Sequence, residues 1–206
     1  MPGIKLTLPN IIQFASIFSP YFIGTFLIFS SMLNGDVKAF FWLFFIIIVQ
    51  FLGGLMRTQF GKPKSSNLNN QDSTCNIFAL PTLFTNENLT YFSSSAIFHS
   101  FTILYLLLGS MYSEQGNMPG LPLIITFSII GIMDLLYRTQ IGNCDSVIDV
   151  ITGTVLGMTL AIPLYLGASS LENKKYTYFG HGDINTDKIK KCNVNKKLKY
   201  ICKQGL

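Results

Sequence analysis

The chain has 206 residues, of which 49% are hydrophobic and 12% charged, and its mean hydropathy is +0.42. Soluble domains carry about 25% charged residues, so this composition excludes a disordered chain, disfavours a soluble enzyme and points to a membrane protein. The whole chain contains 2 histidines. A reaction that needs two in one site therefore has none to spare.

The net charge of +5 is unevenly placed. Residues 170–206 hold nine lysines against Glu172, Asp183 and Asp187, a balance of +6, which leaves −1 for the rest. The basic character belongs to a hydrophilic tail and not to the body. The four cysteines, Cys75, Cys144, Cys192 and Cys202, form no CxxC pair. A zinc ribbon and a disulfide scaffold are both disfavoured, and no metal site or cofactor is expected.

A helix needs about 20 mostly apolar residues to cross a bilayer. Five such runs follow in chain order: 8–33, 39–56, 92–113, 118–137 and 147–170. Pro20 falls inside the first, and Trp42 near the start of the second reads as an interfacial anchor. The third contains His99, the fourth ends near Asp134 and the fifth begins near Asp149. The runs are continuous rather than alternating, which disfavours strands. The expected fold is an all-α polytopic membrane helical bundle over residues 1–169, followed by the tail, 170–206. No span shows a polar stripe, with Gln50 and His99 standing alone, so a channel is disfavoured.

Five spans put the termini on opposite sides. The positive-inside rule places the lysine-rich tail in the cytoplasm and the 57–91 and 138–146 loops outside or in a lumen. Residues 75–84 are apolar but too short to span, so they are expected to lie against that outer face. Gly153 and Gly157 form a GxxxG pair, suited to packing within the chain or between copies in a homo-oligomer. The tail suits anionic lipid, an acidic protein or nucleic acid as partner.

Three clusters gather at one membrane boundary. They are Arg57-Thr-Gln-Phe-Gly-Lys62-Pro63-Lys64-Ser65, then Phe92-Ser93-Ser94-Ser95, then Arg138-Thr-Gln-Ile-Gly142-Asn-Cys144-Asp145 with Asp149 beyond it. They bring cations, three consecutive hydroxyls and a helix start together. A helix start offers unpaired N–H groups and a positive dipole end, and arginine adds fork-shaped donors. That chemistry suits a phosphate, such as a phosphorylated lipid headgroup, at Arg57, Lys64, Ser93, Ser94, Ser95 and Arg138. The plainer alternative is snorkelling cations and ordinary helix caps.

The order and spacing of these clusters resemble the type 2 phosphatidic acid phosphatase family, which is related to the vanadium haloperoxidases. The family's motifs read Lys-x6-Arg-Pro, Pro-Ser-Gly-His and Ser-Arg-x5-His-x3-Asp. Here Arg57 and Lys64 stand for the first Lys and Arg, Ser93 for the motif serine and Arg138 for the third-motif arginine. Asp149 stands for its aspartate with one residue inserted. The resemblance implies a lipid phosphate phosphatase architecture. It also implies that histidines attack phosphorus and protonate the leaving group, but Cys144 and Ser95 occupy those two positions. The expectation is therefore a catalytically inactive headgroup-binding or scaffold protein. The alternative is an active phosphatase with Cys144 as nucleophile, assisted by His99 or Asp149; nearby cations would favour its thiolate. Against this, an oxidising compartment would pair Cys144 with Cys75.

Overall fold

The computed structural model describes residues 8–63, 89–90, 92–113, 118, 120–142, 144–171, 176–179, 191–194 and 200–203. Five helices are long and apolar enough to cross a membrane. They are α1 (Leu8–Asn34), α2 (Lys38–Phe60), α3 (Ser94–Met111), α4 (Leu121–Leu136) and α5 (Val147–Ser170). A π-helical turn, Tyr137–Ile141, extends α4. Two short antiparallel strand pairs lie outside the helices: β1 (Lys62–Pro63) with β2 (Leu89–Thr90), and β3 (Lys191–Val194) with β4 (Tyr200–Lys203).

Each helix buries one stripe and leaves large apolar residues outside. On α1 the buried stripe is Ser16, Ser19, Ile23, Leu27 and Ser31, spaced three and four apart as a helical face requires. Phe22, Phe29 and Leu33 point outwards, as do Ile129 on α4 and Val155 on α5, which is the distribution a lipid surround rewards. Helix α1 ends at Gly35, whose φ of 67° falls in the left-handed region that glycine tolerates. The short turn is held by the Ser31 hydroxyl, which donates to the Asp36 carbonyl at 2.7 Å, and by Lys38 Nζ, 3.4 Å from the Asp36 carboxylate.

Helix α3 is the central element and packs against α2, α4 and α5. Its approach to α5 is set by two glycines. A Cβ on Gly153 would stand 2.7 Å from the Ser93 carbonyl oxygen, and one on Gly157 2.7 Å from that of Ile97. The GxxxG pair is thus consumed by α3 within the chain. This is the within-chain packing use of Gly153 and Gly157. Trp42 also departs from expectation. It is 1% exposed, edge-on to Phe98 at 5.8 Å and beneath Gly24, so it is a core residue and not an interfacial anchor.

The helices alternate in direction, so the bundle has two ends. At the end holding the α1–α2 turn, Tyr176–Phe179 folds back as a strap touching all five helices. The Tyr176 ring lies 4.4 Å from that of Phe41 on α2, and Tyr178 Oη donates to the Leu27 carbonyl of α1 at 3.1 Å. Thr177 is fully buried and hydrogen-bonds Tyr165 on α5. A Cβ on Gly109 of α3 would overlap the Tyr178 carbonyl, and one on Gly120, the α4 N-cap, would overlap the Phe179 ring. Burial and the facing Asp36 carboxylate push the Tyr178 hydroxyl above its ordinary pKa.

Candidate functional site

The opposite end collects the polar groups. Helix α3 begins there because Ser93, in an extended conformation, caps it by accepting from the Ala96 N–H at 3.3 Å. Helix α5 begins with a capping box: Ser146 Oγ accepts from the Asp149 N–H at 3.2 Å, and the Asp149 carboxylate accepts from the Ser146 N–H at 3.1 Å. The two starts are tied by the Ser93 N–H donating to the Asp149 carbonyl at 3.0 Å. Asp149 therefore acts here as a helix cap.

Between these starts and the end of α4 lies a buried network. Asp134 is fully buried. Its carboxylate accepts from Arg138 Nε at 3.2 Å, from His99 Nε2 at 3.2 Å and from the Ser95 hydroxyl. The i, i+4 spacing of Asp134 and Arg138 puts the charges on one helix face. A paired carboxylate only accepts, so His99 Nε2 carries the proton. The same nitrogen lies 3.2 Å from Ser19 Oγ on α1. A Ser–His–Asp relay needs the serine on one ring nitrogen and the carboxylate on the other. Here both meet Nε2, while Nδ1 is buried without a hydrogen-bond partner and faces Gly131. This is not the geometry of an activated nucleophile.

Asp145 forms a second, shallower node. Its Oδ2 accepts from Ser93 Oγ at 2.7 Å and lies 3.7 Å from an Arg138 Nη. The backbone holds it there: the Cys144 and Asp145 N–H groups both reach the Arg138 carbonyl, at 2.9 and 3.5 Å. The π turn supplies the local widening that lets the chain double back on Arg138. Arg57, near the end of α2, donates through one Nη to the Phe92 carbonyl, and Asp145 and Asp149 are its carboxylate neighbours. Gln50 and Ser94 hold α2 against α3 by a reciprocal pair: Gln50 Nε2 donates to the Ser94 carbonyl at 2.9 Å, and Ser94 Oγ donates to Gln50 Oε1 at 2.6 Å.

The structure thus brings Arg57, Ser93, Ser94, Ser95 and Arg138 to one end of the bundle, as their order in the sequence suggested. It also gives every one of them a partner inside the protein. Lys64 and Cys75 lie outside the described residues, as do residues 75–84. Cys144 is buried and disulfide-bonded, and its partner sulfur falls outside the described side chains. A disulfide sulfur is not a thiolate, so the nucleophile proposed for Cys144 is absent in this state. His99 is bonded to Ser19 and Asp134 instead of attending Cys144.

Two features were missed in the sequence, whereas the Asp134–Arg138 pair is marked there by its i, i+4 spacing. Asp145 supplies a further anion to this end, where the expected site counted cations. And His99 is not alone: Ser95, His99 and Thr102 lie at i, i+4 and i+7 along one buried face of α3, until Leu106 interrupts them. That spacing was the available signal for a polar stripe. Comparison with known protein families, curated proteins and solved structures finds no match for this chain.

Proposed function

We propose that this chain is a non-hydrolytic, multi-pass membrane protein of lipid phosphate phosphatase-like plan, acting as a scaffold rather than as an enzyme. The observation that carries this reading is the occupancy of the polar end. Arg138 and Ser95 are committed to Asp134, Ser93 to Asp145, and Arg57 to the Phe92 carbonyl. The position where the family places its attacking histidine holds a disulfide sulfur. A hydrolase needs a nucleophile near a developing oxyanion and donors that are free to receive it. In this protein the donors already hold carboxylates and a carbonyl. Headgroup binding at these residues would have to displace them, which favours the scaffold over the binder.

The test is phosphate release from phosphatidic acid in mixed micelles, with and without a thiol reductant. The wild-type protein is expected to release phosphate no faster than protein-free micelles under either condition. Release that appears on reduction and vanishes in Cys144→Ser would establish the cysteine phosphatase instead.

A further inference from the structure

The basic tail carries chemistry of its own. Strands β3 and β4 pair antiparallel in a register that sets Cys192 opposite Cys202, flanked by Lys191 opposite Lys203 and by Asn193 opposite Ile201. Facing residues of an antiparallel pair stand about 4.5–5.5 Å apart at Cα, and a disulfide spans about 4.4–6.8 Å. The register alone therefore brings the two cysteines within bonding range on one face of the ribbon. The ribbon itself is weak. Its strands are 4 residues each, and an isolated two-stranded hairpin is marginal in water. The facing pair Lys191 and Lys203 opposes it further, because like charges directly across a ladder destabilise the pairing. A covalent bond at the neighbouring rung offsets that repulsion and restricts the open chain.

We propose that Cys192 and Cys202 are a thiol–disulfide switch that closes the Lys191–Lys203 hairpin when oxidised and releases it when reduced. Its redox partner is the pool of small thiols and disulfides, such as glutathione. One apolar span, α5, separates Cys144 from this pair along the chain, so the two sites face opposite sides of the bilayer. Cys144 is disulfide-bonded and belongs on the oxidising side. Cys192 and Cys202 then face the reducing side, where disulfides are transient and regulatory and not permanent. Lysines adjoin both cysteines in sequence, and positive charge favours the thiolate that performs exchange. In the closing step one cysteine thiolate attacks a sulfur of glutathione disulfide and displaces one glutathione thiolate. The other cysteine thiolate attacks the protein sulfur of this mixed disulfide and displaces the second. One S–S bond forms in the protein as one breaks in glutathione. The cysteine pair gives up two electrons, and its two protons end on the two glutathione thiols.

The experiment uses the full chain in phosphatidylcholine nanodiscs, equilibrated in buffers of graded reduced and oxidised glutathione. Free thiols are alkylated and the chain is digested with trypsin. Cleavage after the lysines separates residues 192–196 from 200–203, so that only a disulfide holds these peptides together in the mass spectrum. The wild type is expected to yield joined peptides in oxidising buffers and two alkylated peptides in reducing ones. Cys192→Ser should stop at glutathione attached to Cys202, because the second attack has no thiol. Backbone amide exchange within 191–203 should slow at least about tenfold on oxidation of the wild type. Cysteines that stay alkylatable or stop at the glutathione adduct in the wild type overturn the proposal, as does pairing of either with Cys75 or Cys144. Joined peptides that survive the most reducing buffer, or amide exchange that ignores oxidation, overturn it equally.

Discussion

The α3–α5 contact offers the sharpest energetic test, through Gly157→Ala. A Cβ at this position would overlap Ser100 Oγ, stand 2.7 Å from the Ile97 carbonyl oxygen and 3.2 Å from its Cα. Ser100 is tied to the Ala96 carbonyl at 2.7 Å, and the Ile97 carbonyl belongs to the helix ladder. Neither can yield unless the helices separate by a few tenths of an ångström. Overpacking of this kind costs about 1–3 kcal/mol, and the better helix propensity of alanine returns up to about 1 kcal/mol. The net expectation is about 1–2 kcal/mol, a factor of about 5–30 in the folded-to-unfolded ratio. The chain has 1 tryptophan, Trp42, buried against Phe98. Its fluorescence during reversible unfolding in mixed micelles by SDS reports the bundle directly. An unchanged midpoint, together with loss of a cross-linkable dimer, would refute the intramolecular assignment of Gly153 and Gly157.

Further outcomes follow from the same geometry. Asp134→Ala leaves a buried Arg138 without its carboxylate and should cost about 3–5 kcal/mol. Pairing it with Arg138→Leu should recover much of that loss in the same unfolding assay. Gly120→Ala places a side chain at φ 79° and against the Phe179 ring; it should lower the melting temperature, and Phe179→Ala in the same chain should have a smaller effect than in the wild type. The raised pKa of Tyr178 means that the unfolded chain loses this proton first as pH rises. The strap's contribution should therefore be constant below the ordinary tyrosine value of 10.0 and fall above it, with Tyr178→Phe blunting the decline in melting temperature. Cys144 should resist maleimide labelling in the unfolded protein until a reductant is added.

The spans were legible because a bilayer demands long uninterrupted apolar runs, and the five helices fall on the five predicted runs. Their ends were less so. Helix α2 continues past Arg57 to Phe60 because Arg57 finds the Phe92 carbonyl inside the protein and does not reach for headgroups. Trp42 was misplaced because an aromatic near a span end fits an interfacial belt and a buried edge-to-face pair equally well. Only the neighbouring Phe98 decides between them. The gathering of Arg57, Ser93, Ser95 and Arg138 could be read from alternating spans. The pairing of Arg138 with Asp134 was foreshadowed by their i, i+4 spacing. The part played by Asp145 was not, because it depends on the chain doubling back on the Arg138 carbonyl after a π turn, and no residue spacing encodes that fold-back.

The proposed scaffold role requires that Arg138 stay committed to Asp134 and Asp145, and Arg57 to the Phe92 carbonyl, in the resting protein. The most direct measurement is a 31P NMR time course on the wild-type protein in nanodiscs containing phosphatidic acid. It reads headgroup binding and phosphate release in one spectrum. The account predicts a phosphomonoester resonance at the same position as in empty nanodiscs and no growth of inorganic phosphate. A shifted phosphomonoester resonance that reverts in Arg138→Gln, or an inorganic phosphate signal that grows with protein concentration, would contradict it.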